Sequence, residues 1–504
     1  MSDQTFQIIA LLLYFAAMIG IGVYAFRQTA DHEDYMIAGR KLSPTTAALS
    51  AGASDMSGWL MMGLPGAIYV AGLIESWIAI GLTIGAYLNW KFVAPRLRSY
   101  TEVAKNSITI PSFFENRLHD TSRALRIASG VIVLIFFTFY VSSMMVAGGE
   151  FFIVSFDTSY MTGMLIVAAV TLAYTLIGGF LAASLTDVVQ GTLMMLALLI
   201  VPVLTIFAVG GFGNTLDAIR AAEPGALSFT AGQAVTGGAT VAIISALAWG
   251  LGYFGQPHII VRFMAMREAA SAGSARRIGI GWMVISLFGA TVTALAGIAY
   301  FQVSDLTLDN AEHVVLALSQ ILMHPFLVGL VFAAVLAAIM STVSSQLIVS
   351  SSAFVEDLYR VFKKDSSPRH LMILGRVVVF AVAIIAIILA IDPGDTILGL
   401  VAFAWAGFGA SFGPAILLSL FWRKLTNWGA LAGMVTGAVT VFLWSSFGPE
   451  IFGASLYEIV PGFLLNVLVS VVVSKLTYKA NPNLEQEFDQ AVELAKRKMK
   501  APTA

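Results

Sequence analysis

Asp55 lies inside a long apolar stretch, "LSAGASDMSGWLMMGLPGAIYVAG", that is otherwise suited to cross a membrane. A charged residue at mid-membrane costs at least ~2.5–3.5 kcal/mol, so such residues generally face a cavity and mark the path of an ion or solute. Gly52 and Gly58 flank the carboxylate and weaken the helix there. Backbone that leaves a helix at this depth needs a partner for its carbonyls. The stretch therefore predicts a helix broken around Asp55, where an ion or water pairs with the backbone.

The same pattern returns once, in "ALAWGLGYFGQPHII", where an otherwise apolar run contains Gly250, Gly252, Gly255 and Pro257. Pro257 removes a backbone donor and disfavours helical geometry at the residue before it. Glycines are also common packing residues between membrane helices, and each cluster taken alone fits that interpretation. Two clusters at corresponding places, one of them with a buried carboxylate, favour a second broken helix.

Three residues of "AAVLAAIMSTVSSQLIVSSS" have the spacing of one helix face, namely Ala338, Ser341 and Thr342. A small hard cation prefers oxygen ligands, and this face offers one carbonyl and two hydroxyls. The alternative is that both hydroxyls bond to carbonyls of their own helix, as Ser and Thr in membrane helices often do.

Asp187, in "GGFLAASLTDVVQG", is the second carboxylate predicted to lie within a span, about one turn from its cytoplasmic end. It is either part of an ion path or a helix-end acid in contact with cytoplasmic water. Aromatic residues accompany both predicted breaks, and they can enclose a small, partly apolar solute: Trp59, Tyr140, Trp249 and Tyr253.

Composition makes this chain an integral membrane protein. It is 58% hydrophobic and 11% charged, whereas soluble domains carry about 25% charged residues. It has no cysteine, which excludes disulfides and thiolate metal sites, and its net charge of −1 gives no indication of nucleic-acid binding. No cofactor other than a transported ion is expected.

Long apolar runs predict an all-α protein with about 13 transmembrane helices. Their approximate cores are 5–26, 45–72, 74–95, 125–153, 160–177, 184–210, 235–259, 278–302, 313–352, 371–391, 396–421, 427–447 and 456–475.

The distribution of basic residues gives the orientation. If the N-terminus lies outside, every Lys and Arg except Arg220 falls in a cytoplasmic loop, at a cytoplasmic helix end or in the tail. The positive-inside rule therefore places the N-terminus outside and the C-terminus in the cytoplasm.

The predicted breaks fall in spans 2 and 7, which run in opposite directions and each begin a group of five. This is typical of a 5+5 inverted-repeat transporter core of the leucine-transporter type. The predicted units are 1–44 (an extra transmembrane helix and cytoplasmic loop), 45–210 (first repeat), 211–233 (outer loop), 234–424 (second repeat), 425–476 (two further transmembrane helices) and 477–504 (cytoplasmic tail). In the tail, Leu484, Phe488 and Val492 recur at helical spacing, which favours a solvated helix without a specific role.

The sequence resembles the sodium/solute symporter family over nearly its whole length. The stretches that carry the resemblance are "LSAGASDMSGWLMMGLPGAIY", "ESWIAIGLTIGAYLNWKFVAPRLR", "WGLGYFGQPHI", "AAIMSTVSSQL" and "LVAFAWAGFGASFGP". The first of them points to the proline-transporting members of that family.

The resemblance implies a role for each matching position. It implies a sodium site made by Ala53, Met56, Ala338, Ser341 and Thr342, with Asp55 and Asp187 on the ion path. It implies substrate binding or gating by Ser57, Gly58, Trp59, Tyr140, Trp249, Tyr253 and Pro257. It also implies a cytoplasmic residue important for coupling, Arg40.

The expected function is sodium-coupled uptake of L-proline by alternating access in the cell (inner) membrane. Alternatives are another small solute, such as a different acid, a sugar or a vitamin, and a proton as the coupling ion. A channel or a membrane sensor is the next class. No zinc-protease or Ser/Lys-dyad motif is present, so an enzyme is not expected.

Overall fold

The computed structural model describes residues 2–28, 36–232, 237–363 and 365–500, and is built almost entirely of helices. It contains 11 helices that are long and apolar enough to cross a membrane. The predicted boundary between residues 233 and 234 and the last residues of the tail lie outside the described residues.

In its described residues, the first part of the chain forms eight α-helices longer than one turn. They are α1 (Asp3–Gln28), α2 (Pro44–Asp55), α3 (Leu64–Ala71), α4 (Ser76–Leu88), α5 (Ala94–Val103), α6 (Ile110–Arg117), α7 (Ala124–Phe156) and α8 (Tyr160–Ala208). Wide helical turns precede α3 (Trp59–Gly63) and α5 (Asn89–Val93). A short helical turn, Ala38–Arg40, precedes α2.

In its described residues, the second part forms eleven α-helices longer than one turn and one small hairpin. They are α9 (Phe212–Ala222), α10 (Gly238–Gly252), α11 (Pro257–Ala265), α12 (Ala272–Ser304), α13 (Val314–Leu322), α14 (Pro325–Ser352), α15 (Pro368–Leu389), α16 (Ile397–Phe421), α17 (Asn427–Phe447), β1 (Glu450–Ile451), β2 (Ala454–Ser455), α18 (Ile459–Thr477) and α19 (Pro482–Lys500). A wide turn, Ala353–Tyr359, extends α14.

One predicted span differs from the structure, and one predicted boundary coincides with a kink. The run 313–352 is not one helix, because α13 ends at Leu322 and α14 begins at Pro325. His324 cannot continue a helix easily before a proline, and its Nδ1 accepts a hydrogen bond from the Phe326 N–H at 3.2 Å. The predicted boundary between spans 160–177 and 184–210 agrees with the structure, because the backbone of Tyr160–Ala208 leaves helical geometry and changes direction at Gly179, where φ is 62°.

The core lies where α14 packs against α1, α7, α8 and α2, which makes α14 the central helix. Most of its residues between Val328 and Ser352 are buried. An all-round apolar helix is typical of such a central position. In the second broken region, α11 packs against α2, and α10 packs closely against α4.

Glycines let α4 and α10 touch backbone to backbone. A Cβ added to Gly85 would lie 2.1 Å from the Gly250 carbonyl oxygen, and one added to Gly250 would lie 2.2 Å from the Gly81 carbonyl oxygen. Gly250 and Gly252 both lie inside α10. These glycines therefore serve packing, and the interruption begins only after them, at Tyr253.

We expect Gly85→Ala to lower the thermal stability of the purified protein, because the added methyl group forces the two backbones apart. Overpacking of this kind costs about 1–3 kcal/mol. Gly281→Ala is the matched control, since a Cβ at this exposed helical glycine meets nothing within 4 Å. The measurement is the temperature of half-maximal aggregation in detergent. Equal temperatures for the two variants would show that the close approach is not needed.

The tail helix α19 packs against α5, so the prediction of a solvated helix is wrong for its apolar face. Phe488 is buried and lies against the Arg117 guanidinium, 5.1 Å from its ring centre. Arg423 pairs with Asp489 at 2.8 Å, and His119 contacts Glu487 at 2.9 Å. The helical spacing in the sequence could not show which surface this apolar stripe covers.

Candidate functional site

The first candidate element is the gap between α2 and α3. α2 ends at Asp55, and its last turn is closed by the Met56 N–H, which donates to the Gly52 carbonyl at 2.8 Å. The Ser57 N–H then donates to the Asp55 carbonyl at 2.9 Å, and regular helical structure resumes only with Gly58 and Trp59. The residues of the gap are fully buried. The carbonyls of the last turn of α2 are therefore held inside the protein without the usual helical partners.

Hydroxyls of α14 approach these carbonyls. Ser341 Oγ donates to the Ala53 carbonyl at 2.8 Å, and Thr342 Oγ1 donates to the Ser54 carbonyl at 3.0 Å. Ser341 Oγ also lies 3.2 Å from the Ala338 carbonyl, within its own helix. The predicted oxygen-rich face of α14 and the gap in the first broken helix therefore meet.

Two details differ from the residues singled out in the sequence. Ser54 contributes a carbonyl to this meeting point although only Ala53 and Met56 were expected there. Among the described residues, the hydroxyls of Ser341 and Thr342 contact Ala53 and Ser54 rather than Met56, whose side chain is buried beside the gap. The helical spacing of α14 shows its face, but it cannot show the register at which that face meets α2.

Three aromatic side chains converge on Asp55. The Tyr253 hydroxyl donates to Asp55 Oδ2. The Trp59 indole N–H donates to the Asp55 carbonyl at 3.0 Å, and the Tyr140 hydroxyl donates to the same oxygen at 3.3 Å. Asp55 Oδ1 and Ser57 Oγ are buried and have no hydrogen-bond partner among the described residues. The break thus holds two polar oxygens that are available to an ion or a solute.

A second layer of aromatics lies beside this cluster. Trp249 lies 6.2 Å from Trp59 and 6.2 Å from Trp405, between ring centres, and the Trp405 indole N–H donates to the Trp249 carbonyl at 2.8 Å. Tyr253 packs edge-on to Trp405 at 5.2 Å. Trp405 was not singled out in the sequence, although it stands in the quoted stretch "LVAFAWAGFGASFGP". The aromatic residues from both broken regions therefore form one continuous cluster.

The second interruption separates α10 from α11. α10 ends at Gly252, and Pro257 occupies the first turn of α11, a position where its missing N–H costs nothing. Gln256 donates to the Trp405 carbonyl at 3.1 Å, and its Oε1 has no partner among the described residues. His258 is fully buried and its ring lies 6.0 Å from that of Tyr140. His258 was not singled out in the sequence, where nothing but its place next to Pro257 pointed to it.

Asp187 is buried and ion-paired. Its Oδ2 accepts from Arg262 Nη2 at 3.2 Å and from Ser50 Oγ at 2.6 Å. Arg262 also donates to Ser50 Oγ at 2.9 Å and to Ser345 Oγ at 2.8 Å. Asp187 is therefore not in contact with water at a helix end, and Arg262, assigned to the cytoplasmic helix ends by charge, lies inside the protein. The group joins α2, α8, α11 and α14.

Arg40 joins segments on the same side as the end of α11. Its guanidinium donates to Thr101 Oγ1 and the Met264 carbonyl, both at 3.1 Å, and to the Ser107 carbonyl at 2.8 Å. Arg40 is 9% exposed. The residue predicted for coupling therefore ties the segment before α2 to the end of the second broken region.

A small cavity extends from Pro257 and Val261 to Asp357. At its far end Arg126 Nε donates to Asp357 Oδ1 at 2.9 Å, and Thr109 Oγ1 donates to the same oxygen at 3.0 Å. The position of Asp357 just after a long apolar run was its only signal in the sequence. The cavity leads from the second break towards the end of α14 that carries Asp357.

Glu312, in the short helical turn before α13, is bound to the beginning of α16. Its carboxylate accepts from the N–H groups of Ile397 at 3.1 Å and Leu398 at 3.3 Å, at the beginning of α16. Burial raises the pKa of the Glu312 carboxyl, and the hydrogen bonds from these two N–H groups oppose the rise. An acid at the N-terminus of a helix is electrostatically favourable.

The available ligands are oxygen atoms. Within the described residues, no group of three or more His, Cys, Asp or Glu is placed to hold a metal ion. The meeting point of α2 and α14 offers carbonyls and hydroxyls, which suit a monovalent or other hard cation.

Known proteins resemble this chain in sequence. It is 52% identical over 473 residues to the high-affinity proline transporter PutP of Bacillus subtilis (strain 168), which covers 94% of this chain and 98% of that protein. It is 48% identical over 496 residues to the sodium/proline symporter of Escherichia coli (strain K12), which covers 97% of both chains.

Solved structures resemble it in fold. A Na⁺-coupled sialic acid symporter, in a substrate-bound outward-open state, aligns with a TM-score of 0.78 over 94% of this chain and 99% of its own, at 20% identity. A nucleobase-cation-symport-1 family transporter, MHP1, aligns with a TM-score of 0.55 over 92% of this chain and 99% of its own, at 13% identity.

These likenesses confirm the fold class at the level of an all-helical, multi-pass membrane protein with the architecture of a cation-coupled symporter. The family model described as "Sodium:solute symporter family" matches residues 35–437. This agrees with the resemblance noted in the sequence, and the chain belongs to the sodium:solute symporter family.

Proposed function

We propose that this protein couples the inward movement of sodium to uptake of L-proline across the cell membrane by alternating access. The observation that carries the proposal is the meeting of the Ser341 and Thr342 hydroxyls with the Ala53 and Ser54 carbonyls. Proline as the solute is supported by the names of relatives that are 52% and 48% identical over nearly the whole chain.

Sodium binds where α2 and α14 meet. Its ligands are the carbonyls of Ala53, Met56 and Ala338 and the hydroxyls of Ser341 and Thr342. The two hydroxyls that now donate to carbonyls rotate, so that their lone pairs face the ion. The ion thereby fastens the end of α2 to α14 and fixes the shape of the gap that follows. Asp55 supplies negative charge beside this path.

Proline binds in the aromatic cluster between the two interruptions. Its carboxylate is attracted to Ser57, to the Gly58 backbone and to the N-terminus of α11 at Pro257, because helix N-termini favour anions. Its ring packs against Trp59, Tyr140, Trp249 and Tyr253. Ligand pockets that combine apolar walls with a few polar groups have this composition.

The solute then leaves through the cavity between Pro257 and Asp357, and sodium leaves past Asp187. The Arg262–Asp187 group and Arg40 lie beside this route and link the elements that must separate for it to open. Arg40 thereby couples the position of α2 to that of α11.

The proposed architecture has 13 transmembrane segments. α2 with α3, and α10 with α11, are the interrupted first segments of two five-helix repeats with opposite orientation, 45–210 and 234–424. Segment 1–44 precedes them, 211–233 forms an outer loop, 425–476 adds two segments and 477–504 is the tail. The N-terminus lies outside and the C-terminus in the cytoplasm, as the basic residues indicate.

The experiment is uptake of labelled L-proline into right-side-out vesicles with a sodium, potassium or pH gradient imposed separately. We expect at least a tenfold stimulation by inward sodium alone and a further increase when the interior is made negative, since 100 mV contributes ~2.3 kcal/mol per charge. Stimulation by the pH gradient alone would show that the coupling ion is a proton and not sodium. If other small acids, sugars or vitamins compete with the labelled solute but unlabelled proline does not, L-proline is not the transported solute.

A further inference from the structure

The loop between α17 and α18 is a small hairpin that reaches across the second broken region. Its two short strands pair Glu450 with Ser455 and Ile451 with Ala454. The turn residues Phe452 and Gly453 have φ values of 52° and 75°, as a tight two-residue hairpin requires. The Trp444 indole N–H fixes the loop to the end of α17 by donating to the Leu456 carbonyl at 2.9 Å.

Tyr457 follows this hairpin and contacts two other helices. Its ring stacks on Trp249 of α10, with ring centres 5.5 Å apart and planes 28° apart. Its hydroxyl donates to the Ala402 carbonyl of α16 at 2.7 Å, and its backbone N–H donates to Ser245 Oγ of α10 at 3.0 Å. Tyr457 is 9% exposed. One side chain therefore ties α10 to α16.

The contacted residues belong to the aromatic cluster. Trp249 packs against both Trp59 and Trp405, and Trp405 follows Ala402 by three residues on α16. Separation of the seam between α10 and α16 at this level would expose the space among these rings. The bonds made by Tyr457 cross that seam, and they must break when it opens.

We propose that Tyr457 is a positioning residue of the outer gate, which holds Trp249 and α10 against α16 while the solute is occluded. The proposal rests on transport by alternating access as proposed above. It assigns a transport role to a residue in the loop between the two helices that follow the second repeat. An aromatic ring with one polar handle suits a contact that must form and break, because it combines stacking with a single directional hydrogen bond.

Three variants separate gating from simple loop anchoring. Tyr457→Phe keeps the ring and removes the bond to Ala402, whereas Tyr457→Ala removes both contacts. Trp444→Phe is the matched control, because it removes the hydrogen bond that anchors the same hairpin to α17 and leaves the bonds of Tyr457 to α10 and α16 in place.

Since the chain has no cysteine, one introduced cysteine reports exposure of the seam. Ala406 is fully buried and lies one helical turn beyond Ala402 on α16. In an Ala406→Cys background, labelling by a membrane-impermeant maleimide is timed in right-side-out and inside-out vesicles, with sodium and proline present or absent. Ala404→Cys, also fully buried, is the second reporter if the first variant does not fold.

We expect Tyr457→Phe to speed external labelling in the presence of sodium and proline about 2–10-fold, the range that the loss of one net hydrogen bond permits. Tyr457→Ala should speed it further, and labelling from the inside should not increase. The proposed gating role of Tyr457 would be refuted if the parent and Tyr457→Ala were labelled at equal rates. It would also be refuted if Trp444→Phe sped labelling as much as Tyr457→Phe does. If sodium does not drive proline uptake in the reporter variant that retains Tyr457, the proposed function fails. The gate is then tested by comparing external labelling rates of the Tyr457 variants in the absence of proline.

Discussion

Asp55→Asn is expected to raise the sodium concentration for half-maximal proline uptake at least tenfold. The carboxylate stands at the end of α2, where Oδ2 accepts from the Tyr253 hydroxyl and Oδ1 has no partner among the described residues. Asn keeps the size and a hydrogen-bond acceptor but removes the negative charge that attracts a cation into the break. Loss of a supporting group beside a metal ion typically costs 10–100-fold in affinity.

The Ser341→Ala/Thr342→Ala double variant tests the same site from α14. Its expected effect is also a rise of at least tenfold in the sodium requirement, because both hydroxyls that reach the break are lost. Ser344→Ala is the matched control. Ser344 is buried on the same helix, but its hydroxyl donates to the Ser341 carbonyl at 3.1 Å rather than to α2.

The measurement is the initial rate of proline uptake across a range of external sodium concentrations at fixed proline. Sodium dependence that is unchanged in both Asp55→Asn and the double variant would refute the assignment of this site. An equal change in Ser344→Ala would mean that α14 is merely sensitive to the loss of any hydroxyl.

Local patterns in the sequence were sufficient for part of this site. The residue types around Asp55 predicted an interruption, and the spacing of Ser341 and Thr342 predicted a shared face. Both inferences rest on short-range rules, namely the weak helix propensity of glycine and the helical repeat. That the face and the gap contact each other in the fold was an expectation from family resemblance, since spacing alone carries no information about the neighbouring helix.

Contacts between residues far apart in the chain could not be predicted from such local patterns. Arg262 fits the positive-inside rule as well as any loop arginine does, yet it is 1% exposed and bound to Asp187, a residue far away in the chain. Trp405 and Tyr457 look like ordinary membrane aromatics until the fold places them beside Trp249. Burial and pairing of this kind depend on tertiary packing, which a single sequence does not encode as a local pattern.

The glycines of the second interruption illustrate a mixed outcome. In the sequence, close helix packing and helix interruption were alternative interpretations of the same glycine cluster. In the structure, the region contains both features. Gly250 and Gly252 allow close approach inside α10, and a Cβ on Gly252 would lie 1.9 Å from the Trp405 indole nitrogen. The interruption itself is carried by the residues between Gly252 and Pro257. Composition alone cannot separate these two uses of glycine.

The buried pair of Arg262 and Asp187 leads to the second large expected effect. Each of Arg262→Ala and Asp187→Asn should lower sodium-driven proline uptake by about 100-fold or more. Removing one partner of a buried ion pair leaves an uncompensated charge and costs about 3–5 kcal/mol. Ser50 and Ser345 also lose their shared partner when Arg262 is absent, so the links from α11 to α2 and to α14 weaken together.

The exposed pair of Arg220 and Asp217 provides the matched control. Its nitrogen and oxygen lie 3.0 Å apart, close to the 3.2 Å between Arg262 and Asp187, but its side chains are 60% and 76% exposed instead of 1% and 0%. Exposed pairs contribute about 0–1 kcal/mol. Arg220→Ala should therefore leave uptake and thermal stability nearly unchanged.

The double variant Asp187→Asn/Arg262→Gln separates a charge effect from a requirement for these two side chains. It removes both charges and retains groups that can hydrogen-bond with each other and with Ser50. If the single variants fail because they bury an unpaired charge, the double variant should recover thermal stability above either one. If the pair also controls inward opening, uptake should stay low in the double variant although stability returns. Thermal aggregation and uptake are measured on the same preparations, and a double variant that is less stable than both single variants would contradict the buried-charge explanation.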